Sequence, residues 1–126
     1  MATVLTQVGE EWIVDLIDGT VSAQANWIGW GTGGTAAAKN ATDLSTAAPE
    51  ARASTTRTQA TTDRIRWVGT ITATGTRGIT NAGVFYGQGS GSPPTGGTPL
   101  IVMGDFTTVN VVSGDSIQFT IELEIT

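Results

Sequence analysis

From Ser116 to Ile125 the chain alternates without a break. Ile117, Phe119, Ile121, Leu123 and Ile125 are interleaved with Ser116, Gln118, Thr120, Glu122 and Glu124. Successive side chains of a strand point to opposite faces, so this segment buries one face and wets the other. A helix is excluded, because its apolar stripe needs a period of 3.6 residues. One wet face and one dry face belong to an antiparallel sheet. Ser113-Gly114-Asp115 ahead of it supplies the turn. No residue of the segment suggests chemistry, and that sets the question for the rest of the chain.

At 126 residues the chain makes one domain, 1–126, long enough to bury a real core. Charged residues are only 13% of the total, while Gly numbers 17 and Thr is in visible excess. This composition favours short strands and tight turns over helices. There is no Cys and no His. Disulfides, thiolate metal sites and thiol nucleophiles are thereby excluded, together with a Ser-His-Asp triad and a His-ligated zinc. What remains for catalysis is carboxylates alone, so no enzyme and no cofactor are expected. Met1 to Thr6 has neither the basic stretch nor the apolar core of a signal peptide, and no apolar run approaches the ~18 residues of a membrane span. Synthesis and use inside a cell, or release by lysis, is expected, with no membrane partner.

The net charge of −5 argues against a nucleic-acid partner. Its distribution is more informative. The basic residues are Lys39, Arg52, Arg57, Arg64, Arg66 and Arg77, all central, whereas both flanks carry only acids: Glu10, Glu11, Asp15 and Asp18 before, Asp105, Asp115, Glu122 and Glu124 after. Segregation of this kind can set the register between neighbouring subunits. The plainer reading is that the charges sit on solvated faces.

The best helix lies between Thr6 and Gly19. Val8, Trp12, Ile13, Leu16 and Ile17 share one face, Thr6 caps the start, Glu10 and Glu11 suit the positive end of the dipole, and Gly19 stops it. Asn26 to Trp30 reads as a short strand running into a glycine-rich turn. Gly29-Trp30-Gly31-Thr32-Gly33-Gly34 has the composition of a phosphate loop, but that motif needs a following amphipathic helix, which Thr35 to Asn40 does not supply.

Residues 36–63 are small and polar, with Leu44 the one obvious anchor. So little to bury predicts a mobile loop, or an arm that finds its burial on another chain, and leaves a folded domain if residues 40–60 are deleted. Regular structure resumes at Arg64, with a strand to Thr74 in which Gly69 suggests a bulge. A turn at Thr76-Arg77-Gly78, a strand from Ile79 to Tyr86, a Gly/Pro-rich loop over 87–97, and strands from Pro99 and Val109 follow. Strands at about ten-residue spacing predict an all-β fold, an antiparallel β-sandwich or jelly-roll-like domain with one short N-terminal α-helix.

Five short motifs occur in order over residues 27–35 and 68–125: Trp27-Ile28-Gly29-Trp30-Gly31-Thr32-Gly33, Val68-Gly69-Thr70-Ile71-Thr72-Ala73, Ile79-Thr80-Asn81-Ala82-Gly83-Val84-Phe85, Leu100-Ile101-Val102-Met103-Gly104-Asp105-Phe106 and Val112-Ser113-Gly114-Asp115-Ser116-Ile117. Their series resembles a group of small structural proteins of tailed bacteriophages, whose members read G-x-G-T, G-T-I-T, I-T-E-A-G-L-F, L-L-A-R-A-x-F and G-D-x-L-x-x-x-W. Here Asn81 stands where an acid is frequent, Asp105 where a small residue is, and Thr120 where an aromatic is. Residues 36–63 lie outside the likeness.

The resemblance implies a virion structural protein made in the host cytoplasm. Foremost is a head decoration (cement) protein on the outer capsid surface, binding the major capsid protein and copies of itself as an oligomer such as a trimer. On this reading Lys39, Arg52, Arg57, Arg64 and Arg66 meet acidic patches of a partner, helped by the 87–97 loop. A tail or tail-fibre component is the alternative within the class. A carbohydrate-binding sandwich is the alternative outside it, resting on Trp27 or Trp30 beside the glycine turn, since Trp12 and Trp67 read as core. Glu122 and Glu124 as a glycosidase pair is the weakest reading, because both lie on the strand's wet face.

Overall fold

A computed structural model describes residues 2–22 and 24–126. The elements are β1 (Ala2–Leu5), α1 (Gln7–Asp18), β2 (Trp27–Gly31), β3 (Ala53–Ser54), β4 (Thr56–Thr61), β5 (Arg64–Thr72), β6 (Arg77–Phe85), β7 (Leu100–Val111) and β8 (Ser116–Glu124). They form two antiparallel sheets, a five-stranded β1-β7-β6-β2-β3 and a three-stranded β4-β5-β8. The fold is all-β with one short helix, as the alternation and the spacing predict.

The helix begins and ends where its sequence says. Thr6 is extended, and its hydroxyl accepts from the Gly9 amide at 3.0 Å. Gly19, in the left-handed region at φ 84°, turns its N–H back onto the last carbonyls. Gly9 is the contact point with the sheet, since a Cβ there would stand 2.5 Å from the Ile101 carbonyl oxygen. Trp12 is buried, and Ile13 and Leu16 pack against the core, but Ile17 is 84% exposed. The close approach at Gly9 rolls the helix so that Ile17 falls off the contact stripe.

The main core lies between the sheets. Ile28, Trp30, Ala82, Val84 and Val102 of the larger sheet meet Trp67 and Ile71 of β5 and the half-buried Ile117, Phe119, Ile121 and Leu123 of β8. Trp30 packs edge-on against Phe119, with ring centroids 6.3 Å apart. The terminal strand thus turns its apolar residues inward as expected, except Ile125, which lies past the strand's end and is 60% exposed. β5 runs unbroken through Gly69 against β8, so the bulge expected there is absent. Irregularities fall instead between Gln59 and Thr61 of β4 and at two places along β6. The turn expected at Thr76–Gly78 sits slightly earlier, since β6 already starts at Arg77.

The largest departure concerns residues 36–63. Part of this stretch is strand, β3 and β4, and the irregular part is no arm. Leu44, Ala48, Glu50 and Arg52 are all buried. The physical reason is a shelf on the outer face of the larger sheet. Gly29 lies opposite Gly83, and Gly31 opposite Asn81. A Cβ on Gly31 would stand 2.5 Å from the Ser45 carbonyl oxygen, and one on Gly83 would meet Leu44 as well as Leu100. With no side chains in the way, the backbone at 44–46 lies directly on the sheet. Leu44 joins Phe85, Leu100 and Met103 in a second apolar cluster there, flanked by Trp27, Ala37 and Ala41.

Polar contacts latch this segment down. The buried Asn81 side chain accepts from the Ser45 amide at 3.1 Å and donates to the Ser45 carbonyl at 3.0 Å, imitating a strand partner. The Asp105 carboxylate accepts from the amides of Ala37 (2.6 Å) and Ala2 (3.0 Å), and these hydrogen bonds, Ala37 first, hold its pKa below the ordinary value. Small residues here signal close packing, so deleting residues 40–60 would remove β3, all of β4 but Thr61, and Leu44 and Ala41 from the second cluster. On this packing a folded remnant is no longer the expected outcome of that deletion.

Candidate functional site

The exposed polar surface most capable of recognition is the outer face of the three-stranded sheet. Register places Thr58, Arg66 and Glu122 in one row, Arg64 beside Glu124, Thr70 beside Gln118, and Thr72 beside Ser116. Two-residue periodicity puts all of these on the side away from the core. Arg66 grips Glu122 Oε1 through Nε at 3.2 Å and Nη2 at 3.1 Å. Arg64 reaches Glu124 at 3.0 Å and Glu122 at 3.3 Å. The Glu124 hydrogen bond, and then the charges of Glu124 and Glu122, hold the Arg64 guanidinium above its ordinary pKa. Beyond this ladder the face carries hydroxyls, with the Thr72 and Ser116 oxygens 2.6 Å apart. It offers a nearly neutral array of hydrogen-bonding groups with one knot of paired charge.

Of the basic residues singled out in the sequence, only Arg64 and Arg66 meet on this face. Arg57 lies opposite Trp67 in the register and so turns to the inner side, where its guanidinium donates to the Gln24 side-chain oxygen. Lys39 is exposed and pairs with Glu10 of α1 at 2.7 Å, on a different part of the surface. Arg52 is a correction. It is 4% exposed, lies 3.5 Å over the Phe85 ring, and donates to the carbonyls of Gly87 (3.1 Å) and Gly96 (2.7 Å). Burial lowers its pKa, opposed by the charge of Asp43. A guanidinium spent on the two limbs of the 86–99 loop anchors that loop and cannot meet a partner.

No family model matches this chain, and no curated protein or solved structure matches it.

What reasoning from charge missed is that Glu122 and Glu124, weighed there as a wet face and as a glycosidase pair, are the partners of Arg64 and Arg66. The signal was there. Two basic residues two apart on one strand, and two acids two apart on another, make a cross-strand ladder whenever the strands pair antiparallel.

A second charged cluster is internal. Glu50, buried, accepts from the Trp30 indole N–H at 3.0 Å, from the Thr74 amide at 3.1 Å and from its hydroxyl at 2.7 Å, and lies 3.3 Å from Arg77. Burial pushes the carboxyl's pKa up, but the Thr74 and Trp30 hydrogen bonds outweigh it and hold the value at about 2. Glu50 thus ties the irregular segment to the β5–β6 corner. Trp30 itself is buried and Trp27 half-buried against the second cluster, so Trp30 presents no stacking face to a sugar. Among the described residues no three acidic side chains converge on a metal-sized site, and no helix is long and apolar enough to cross a membrane.

Clefts border these surfaces. One, of about 540 Å³, lies between α1 and the 86–99 loop and is lined by Val8, Glu11, Trp12, Asp15, Tyr86 and Pro99 among others. Another, of about 300 Å³, opens beside β8 and is lined by Thr3, Gly104 and Phe106 of the larger sheet and by Phe119 to Glu122 of β8.

Proposed function

We propose that this protein is a non-catalytic structural component of a tailed-bacteriophage particle, and within that class a decoration protein bound to the outside of the capsid. The observation that carries the reading is the set of five ordered motifs, which here form one continuous framework. The first supplies the glycine shelf of β2, the third its partner strand β6, and the fourth the neighbouring β7. The second and fifth meet at a corner, where the Ala73 amide donates to the Asp115 carbonyl at 2.7 Å and the Gly114 amide to the Ala73 carbonyl at 2.8 Å. A likeness confined to these motifs is therefore a likeness in the parts that must cooperate to fold.

The capsid contact follows from what is left exposed. Arg52 is withdrawn from the partner set, while Lys39, Arg57, Arg64 and Arg66 remain at the surface, Arg57 bonded to Gln24 and the other three each paired to an acid of this chain. Recognition of the major capsid protein would then rest on hydrogen bonds from the hydroxyl-rich sheet face and on exchange of ion pairs, not on a bare basic patch. Purified protein mixed with phage heads lacking it should co-sediment at a stoichiometry comparable to the capsid subunits. Antibody labelling confined to tails would move the protein to the tail or tail-fibre alternative, and absence from both heads and tails would overturn the reading.

A further inference from the structure

The two edges of the three-stranded sheet are built differently. β4 carries a bulge between Gln59 and Thr61 and an inward-facing charge, Arg57. Both features are devices that stop a sheet from growing. β8 has neither. It pairs with β5 in unbroken register from Ser116 to Glu124 and contains no Pro, no Lys and no inward-facing charge. Its two acids lean back over the sheet to Arg64 and Arg66 instead of guarding the edge.

The free backbone groups of that edge can be assigned. The Ile125 amide bonds Asp63 and the Asp115 carbonyl bonds Ala73, both on the β5 side. With period two, Ser116, Gln118, Thr120, Glu122 and Glu124 therefore turn their N–H and C=O groups away from β5. All except the half-buried Glu122 are exposed. Between this edge and the larger sheet opens the cleft lined by Thr3, Gly104 and Phe106 and by Phe119 to Glu122 of β8.

We propose that β8 is the interface for a second copy of this chain, pairing antiparallel with the partner's β8 about a twofold axis at Thr120. The strand is complementary to itself in that register. On the outer face Gln118 faces the partner's Glu122 and Ser116 faces the partner's Glu124, so no two like charges meet. On the inner face Ile117 faces the partner's Leu123 and Phe119 the partner's Ile121, which continues the apolar layer from one copy to the next. Twofold contacts are self-complementary by necessity, and this strand meets that condition at every position from Ser116 to Glu124. The two small sheets become one continuous sheet with β4 and the partner's β4 at its protected ends. This pairing goes beyond the virion reading and stands without it, because a dimer in solution requires no capsid.

Sedimentation equilibrium of the full chain should give twice the 12.9 kDa chain mass, dissociating on dilution. Gln118→Glu places two like-charge pairs across the axis and should weaken the dimer about tenfold, whereas Gln118→Lys, facing the partner's Glu122, should keep or tighten it. Thr120→Pro removes an amide from the free edge only and should give a monomer with an unchanged circular dichroism spectrum. If that variant misfolds, the Gln118 pair still decides. A monomer at the highest soluble concentration, a mass of three chains, or equal effects from the two Gln118 substitutions would overturn the proposal.

Discussion

Residues 36–52 and residues 116–125 exchange the roles that their compositions suggest. The first stretch is small and polar, yet it contributes Leu44, Ala48, Glu50 and Arg52 to the buried set. The second carries the strongest apolar alternation in the chain, yet Ile117, Phe119, Ile121 and Leu123 are only half-buried and Ile125 is exposed. Burial depends on what lies opposite a residue more than on the residue itself. The small segment rests on a shelf of glycines that lets backbone touch backbone. The terminal strand lies at a sheet edge, where one flank has nothing beside it. Composition measures how much a segment can gain from burial, while position decides how much of that gain is realised.

The contrast is open to direct attack. Truncating Leu44 and Ile121 to Ala in parallel should give the largest difference. Leu44→Ala should cost about 3 kcal/mol by urea unfolding, and Ile121→Ala about half of that, because an edge residue leaves a smaller closed cavity. Equal costs, or a larger one at Ile121, would mean that 36–52 is merely laid on the surface.

Glu50 sharpens the same point through pH. Its pKa is about 2 in the fold against an ordinary 4.5, so its stabilisation is fully present above about pH 4.5 and is lost as the pH falls towards about 2. A shift of that size corresponds to roughly 3 kcal/mol. Glu50→Gln should therefore destabilise the protein at pH 7 and converge with the unmodified chain near pH 2. A gap that stays constant with pH would remove the carboxylate from the account.

The smallest effect belongs to the outer ladder of the terminal strand. Arg66→Ala breaks a solvent-accessible, half-buried pair with Glu122 and should change stability by less than about 1 kcal/mol, decreasing further in high salt. A loss as large as that at Leu44 would show that the open face is a structural element rather than a free surface.

Much of the framework was legible in the chain. Thr6 and Gly19 marked the helix ends because capping chemistry is local. The inward set of β8 was legible because period two needs no knowledge of the partner strand. The 87–97 loop was legible from Gly and Pro alone. The candidate site was less so. Arg64 and Arg66 were found as charges, but their ladder required the pairing of β5 with β8, which joins residues 60 and 56 positions apart. Arg52 was misread because nothing near it in sequence reveals that Phe85, Gly87 and Gly96 surround it.

By itself, then, the sequence determined the strand period, the helix with its caps, the turns, and the exclusion of thiol and imidazole chemistry. These follow from interactions that each residue makes with its near neighbours or with water. Only the tertiary structure decided that Gly29, Gly31 and Gly83 form a shelf, that Asn81 and Glu50 latch a polar segment onto it, and that β8 ends a sheet with an unguarded edge. Those outcomes depend on which distant strands become adjacent, and that choice is made by the packing of the whole core.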